Sequence, residues 1–129
     1  MGEPAADEGD CYILVAEDDE SLRSTIAELL RTDQHHVVEA GDGEAALQVL
    51  RGRPFDVLVL DLHMPKMDGL QLLDTFGFPP PSVIVYSAFE YFDVEDVEVR
   101  LGTTVRASLQ KPVAPDVLIS AVESACSER

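Results

Sequence analysis

Short apolar runs alternate with segments of helical periodicity along this chain. Residues 12–16 (Tyr-Ile-Leu-Val-Ala) form a run of strand length, and residues 21–32 carry Leu22, Ile26, Leu29 and Leu30 at the spacing of one helix face. Val37-Val38 marks a weak second strand. Asp42 can cap a helix holding Ala45, Ala46, Val49 and Leu50, which Pro54 stops. Val57-Leu-Val-Leu60 is apolar throughout and reads as a strand buried on both faces. A short helix over 70–75 ends before Gly77 and Pro79-Pro80-Pro81. Val83-Ile-Val-Tyr86 is a further buried strand. A weak, Val-rich helix over 93–101, a strand over 105–110 and an amphipathic helix over 115–126 complete the pattern.

Strands followed by helices predict an α/β fold, a doubly wound five-stranded parallel sheet. Ligands of such sheets bind beyond the carboxyl ends of the strands. The residues at those ends therefore matter most. Glu17, Asp18, Asp19 and Glu20 follow the first strand, Asp61 ends the third, Ser87 ends the fourth, and Lys111-Pro112 follows the fifth.

Composition adds limits. One domain is the expectation for 129 residues of which 46% are hydrophobic. Residues 1–10 read as a flexible acidic tail and 11–127 as the folded domain. With 25 acidic and 9 basic residues the formal charge is −16, which disfavours direct nucleic-acid binding. No apolar run is long enough for a bilayer and no leader opens the chain, so a soluble, cytoplasmic protein without membrane contact is expected. Cys11 and Cys126, near opposite ends, fit neither a disulfide framework nor a metal knuckle and read as buried or idle thiols.

Carboxylates gathered on one sheet edge repel one another. Two unit charges about 4 Å apart cost roughly 4 kcal/mol at an effective dielectric near 20. A divalent cation removes the conflict, and hard oxygens with room for water suit Mg²⁺. The backbone carbonyl of His63 lies within reach of such an ion, and Lys111 offers a point charge to a phosphate oxygen. A carboxylate so placed can attack phosphorus and form an acyl phosphate. Each residue also has a plainer reading: a solvated acidic helix start at 17–20, a turn aspartate at Asp61, a turn serine at Ser87, a surface lysine at Lys111. Asp68-Gly69 reads as a turn that starts a helix, Met64 and Met67 as loop packing, and His35-His36 as solvent-facing.

The segments Ile13-Leu-Val-Ala-Glu-Asp-Asp-Glu20, Asp56-Val-Leu-Val-Leu-Asp-Leu-His-Met-Pro-Lys-Met-Asp-Gly69, Val83-Ile-Val-Tyr-Ser-Ala88 and Lys111-Pro112 resemble the response-regulator receiver domains of two-component signalling, the CheY-like superfamily. The resemblance implies strand order 2-1-3-4-5 and a phosphoacceptor role for Asp61. It implies a Mg²⁺ site from Glu17, Asp18, Asp61 and the His63 carbonyl, with Glu17 acting through water. Ser87 and Lys111 would hold phosphoryl oxygens, and a cis bond before Pro112 would aim Lys111. A histidine kinase or phosphotransfer protein would be the donor. A downstream protein or output domain would read the face made by the fourth helix, fifth strand and fifth helix. Such a chain is no enzyme beyond promoting its own phosphorylation and dephosphorylation.

Three departures stand out. Ser108 occupies the place, three residues before the lysine, of the aromatic whose rotation usually reports phosphorylation in the family, so the readout is expected to use another element, such as Phe89, Tyr91 or Phe92, or to be weak. The helix over 93–101 is weak, and Ala114 replaces a frequent capping aspartate. Bulky His63 and Phe89, flanking the acceptor and the hydroxyl, predict slow loss of the phosphoryl group. Two rival readings remain at this level: a phosphorylation-silent receiver acting as an interaction module, and a small Mg²⁺-dependent aspartyl phosphatase, which would normally carry an aspartate where His63 stands.

Overall fold

The computed structural model describes residues 10–64, 66–76, 82–87 and 105–128. Its strands are β1 (Tyr12–Ala16), β2 (His36–Ala40), β3 (Val57–Asp61), β4 (Ser82–Ser87) and β5 (Val105–Gln110). They form one sheet in the order β2-β1-β3-β4-β5, every pairing parallel. Its helices are α1 (Glu20–Thr32), α2 (Gly43–Gly52), α3 (Gly69–Phe76) and α4 (Pro115–Ser127). Residues 1–9 of the acidic tail, Phe89, Tyr91, Phe92 and the weak helix expected over 93–101 lie outside the described residues.

Side-chain alternation sorts each strand between two cores. Leu14, Leu58, Leu60, Val83 and Val85 face α2 and α3, where Ala46, Leu47, Leu50 and Leu72 pack. Ile13, Val15, Val57, Val59, Ile84 and Tyr86 face α1 and α4, where Ile26, Leu30, Leu118, Val122 and Ala125 pack. Strands clothed on both faces need apolar residues at every position, so β3 is buried end to end. β2, at the sheet edge, is half-buried, which explains its weak sequence signal.

Caps set where the helices begin. The carboxylates of Asp19 and Asp42 accept from the amides of Leu22 and Ala45. Asp68 and Gln71 exchange reciprocal backbone-to-side-chain bonds of 2.8 and 3.0 Å, a capping box that starts α3. Ala114 provides no side-chain cap for α4, as its sequence implied. Met64 is buried in the α2/α3 core and Met67 packs against it.

Two expectations are corrected. Cys11 and Cys126 are not idle thiols. They are joined in a disulfide with Cα atoms 5.8 Å apart, across a sequence separation of 115. α4 starts beside the carboxyl ends of the strands and runs back across the sheet, so its last turn reaches the residue that precedes β1. His35 does not face solvent. Its side chain is 7% exposed, and Nε2 lies 3.0 Å from Glu123 Oε2 on α4, because the turn after α1 tucks beneath that helix. His36 is exposed and stacks on Tyr12.

Candidate functional site

Alternation in four strands brings the predicted residues together. Glu17 continues the side of β1 that carries Ile13 and Val15, and Asp61 that of Val57 and Val59. Lys111 continues the side of β5 that carries Ala107 and Leu109. All three therefore emerge on the α1/α4 side of the sheet, at its carboxyl edge. Register adds a fourth member, since Asp61 pairs with Tyr86.

Glu17 is fully buried. Its Oε1 accepts from the Tyr86 hydroxyl and from Lys111 Nζ, each at 2.6 Å, and its Oε2 accepts from the Asp19 amide at 2.8 Å. Asp61 is 2% exposed. Its Oδ1 accepts from the His63 amide at 2.9 Å and its Oδ2 from Lys111 Nζ at 3.0 Å. Lys111 thus bridges two buried carboxylates, with its ammonium 4.8 Å from the centre of the Tyr86 ring. Asp18 is exposed at the rim. One carboxylate oxygen from each of Glu17, Asp18 and Asp61 lies within 4.8 Å of the others.

The electrostatics follow from burial and partners. Burial pushes the Glu17 carboxyl up, but hydrogen bonds from Lys111, Tyr86 and the Asp19 amide outweigh it and hold Glu17 below its ordinary value. Burial dominates at Asp61, opposed by the His63 amide and Lys111, and leaves its carboxyl raised. Asp18 is raised by desolvation and by the neighbouring Glu17. Burial pulls Lys111 down, yet its bonds to Glu17 and Asp61 leave it raised. Burial and the adjoining anion push the Tyr86 phenol far up, so it stays protonated and donates.

This donor set fits Mg²⁺. The groups are hard carboxylate oxygens, few in number, with Asp18 open to water. Glu17 already spends three of roughly four acceptor positions on protein donors, so its share in holding an ion would be through water bound to that ion.

The structure brings together Glu17, Asp18, Asp61 and Lys111. His63 is exposed, and its amide holds Asp61. Ser87 ends β4 opposite Gln110, at the same sheet edge. Its hydroxyl lies outside the described part of the structure. The Lys111-Pro112 peptide is cis, as the resemblance implied. Ser108 is exposed on β5. Sequence reasoning passed over Tyr86. The signal was available: a hydroxyl inside an apolar strand, two residues beyond the inward-facing Ile84. Beside the site, Leu22, Ile26, Val113, Pro115 and Leu118 line an apolar cavity of about 230 Å³ between α1 and α4, with Tyr86 and Lys111 in its wall.

A family model described as the response regulator receiver domain matches residues 13–123. The transcriptional regulatory protein PdtaR of Mycobacterium tuberculosis strain H37Rv is 32% identical over 117 residues, covering 89% of this chain and 56% of PdtaR. The transcriptional regulatory protein GlrR of Escherichia coli K12 is 28% identical over 117 residues, covering 91% of this chain and 26% of GlrR. The chain therefore spans about half the length of the first and a quarter of the second. Among solved structures, the N-terminal domain of WS1339 from Wolinella succinogenes superposes with a TM-score of 0.77 at 32% identity, covering 89% of this chain and 93% of that one. The receiver domain of the Francisella response regulator 1452 gives 0.74 at 28% identity, covering 92% and 98%.

Proposed function

Because this chain belongs to the response regulator receiver family, we propose that Asp61 accepts a phosphoryl group from a histidine kinase or phosphotransfer protein and that the acyl phosphate changes the chain's protein contacts. One observation carries the reading. Asp61, nearly sealed from solvent, shares the Lys111 ammonium with Glu17 and stands in a three-carboxylate cluster at the sheet edge.

In the proposed step an Asp61 carboxylate oxygen attacks phosphorus. The bond from phosphorus to the donor nitrogen breaks, and its electron pair leaves with the imidazole, which regains a proton. Glu17, Asp18, Asp61 and the His63 carbonyl would hold Mg²⁺, which when bound neutralises charge on the carboxylates and the transferred group. Lys111 Nζ, now 3.0 Å from Asp61 Oδ2, is placed to pair with a phosphoryl oxygen. The Ser87 hydroxyl would take another. Burial of Asp61 limits the water that hydrolyses the product.

The readout is proposed for the face of β5 and α4, toward a downstream protein or a linked output domain; the fourth helix expected over 93–101 lies outside the described residues. Neither nucleic acid nor membrane is a proposed partner of this chain. Among the described residues no helix is long and apolar enough to cross a membrane. The proposed setting is the cytoplasm, where the Cys11–Cys126 bridge meets a reducing thiol pool.

The test is acetyl phosphate with Mg²⁺, read by intact mass. The wild type gains about 80 Da and Asp61→Asn does not, as acyl-phosphate chemistry requires. Wild type without the gain, or Asp61→Asn with it, overturns the proposal. The first outcome would favour a phosphorylation-silent interaction module.

A further inference from the structure

We propose that Tyr86 is a positioning residue of the phosphoryl-transfer site, orienting Glu17 and freeing Lys111 to move to the phosphoryl group. The inference rests on the reading above and adds a residue to it.

The geometry is specific. Tyr86 is 1% exposed, and its hydroxyl and Lys111 Nζ both reach Glu17 Oε1 at 2.6 Å. A buried carboxylate is stable only while donors surround it. Lys111 serves Glu17 and Asp61 together, so any swing toward a phosphoryl oxygen on Asp61 weakens its bond to Glu17. Glu17 is fully buried, so bulk solvent does not replace the lost donor. The Tyr86 hydroxyl already donates to the same oxygen from β4, so Oε1 keeps one donor when Lys111 shifts. The same ring lies 4.8 Å from the ammonium, so Lys111 keeps a favourable aromatic surface as it shifts. A valine or isoleucine here would fill the same core and leave Glu17 Oε1 dependent on Lys111. With Tyr86 in place, a shift of Lys111 leaves Glu17 held by Tyr86 Oη on Oε1 and by the Asp19 amide on Oε2.

Tyr86→Phe keeps the ring and removes the donor. Supporting groups of this kind are worth about tenfold or more in metal affinity or activity. Tyr86→Phe should therefore slow phosphorylation by acetyl phosphate by about that factor and weaken Mg²⁺ binding to the unphosphorylated protein, read by calorimetry, to a similar extent. In a Glu17→Gln background the same change should have little further effect, because the tyrosine then has no anion to orient. A purely structural role would give equal losses in both backgrounds. With 3-fluorotyrosine in place of the chain's 3 tyrosines, the ¹⁹F resonance of Tyr86 should shift when Mg²⁺ is added, a readout that keeps the hydroxyl donor.

If the wild type is phosphorylated and Tyr86→Phe matches it in rate and Mg²⁺ affinity, the assignment to Tyr86 is wrong and the proposed function stands. If the wild type takes up no phosphoryl group, the function fails separately, and unchanged Mg²⁺ affinity in Tyr86→Phe removes the positioning role as well. An immobile Tyr86 resonance counts against it in either case.

Discussion

Replacing Lys111 with methionine leaves Glu17 and Asp61 facing each other without the cation they share. Their nearest candidate ligand oxygens lie within 4.8 Å, so at an effective dielectric near 20 the exposed repulsion is at least about 3.5 kcal/mol. The protein can escape by protonating one carboxyl. From an ordinary pKa near 4.3, that costs about 1 kcal/mol at pH 5 and about 5 kcal/mol at pH 8. Protonation is the cheaper route at pH 5, and bearing the repulsion is cheaper at pH 8. The sign follows. In the wild type Glu17 is held low, so its stabilisation is present at neutral pH and is lost as pH falls through its folded value. Without Lys111 both carboxyls are raised in the folded state. Such groups favour folding below their unfolded values and lose that advantage as pH rises through the folded ones. The stability deficit of Lys111→Met against wild type should thus widen by about 2–3 kcal/mol from pH 5 to pH 8. Urea unfolding followed by circular dichroism at the two pH values measures it. A deficit of the same size at both would mean that Lys111 contributes packing rather than charge.

Reducing the Cys11–Cys126 bridge should lower stability by as much as about 5 kcal/mol, the loop-closure value for a ring of this length. Urea midpoints with and without dithiothreitol measure it, and Cys126→Ser should lose its sensitivity to the reductant. Ala114→Asp should stabilise the chain by about 1 kcal/mol by supplying the missing cap of α4. A thermal melt that does not rise would contradict that.

The sheet was legible because its central strands are covered on both faces and so had to be apolar throughout. The acidic edge was legible for the same reason, since Asp61 and Glu17 interrupt apolar runs where the strands stop. β2 was faint because an edge strand buries only part of its surface. The cysteine pair could not be read, because closeness across 115 residues depends on where α4 ends over the sheet. His35 misled because a polar residue in a turn ordinarily meets water, whereas here Glu123 covers it. Tyr86 was legible in principle. Its parity with Ile84 and its pairing with Asp61 required only the strand register. Strand length alone hid it, because a tyrosine ending an apolar run looks like core.

The disulfide turns residues 11 to 126 into a covalent ring. A single peptide bond cut anywhere inside that ring would leave both fragments tethered. Sequence attached on either side of the ring departs from one corner of the molecule, about 20 Å from Asp61 at the rise of an extended strand. A fusion partner hung there would leave the carboxyl edge unobstructed.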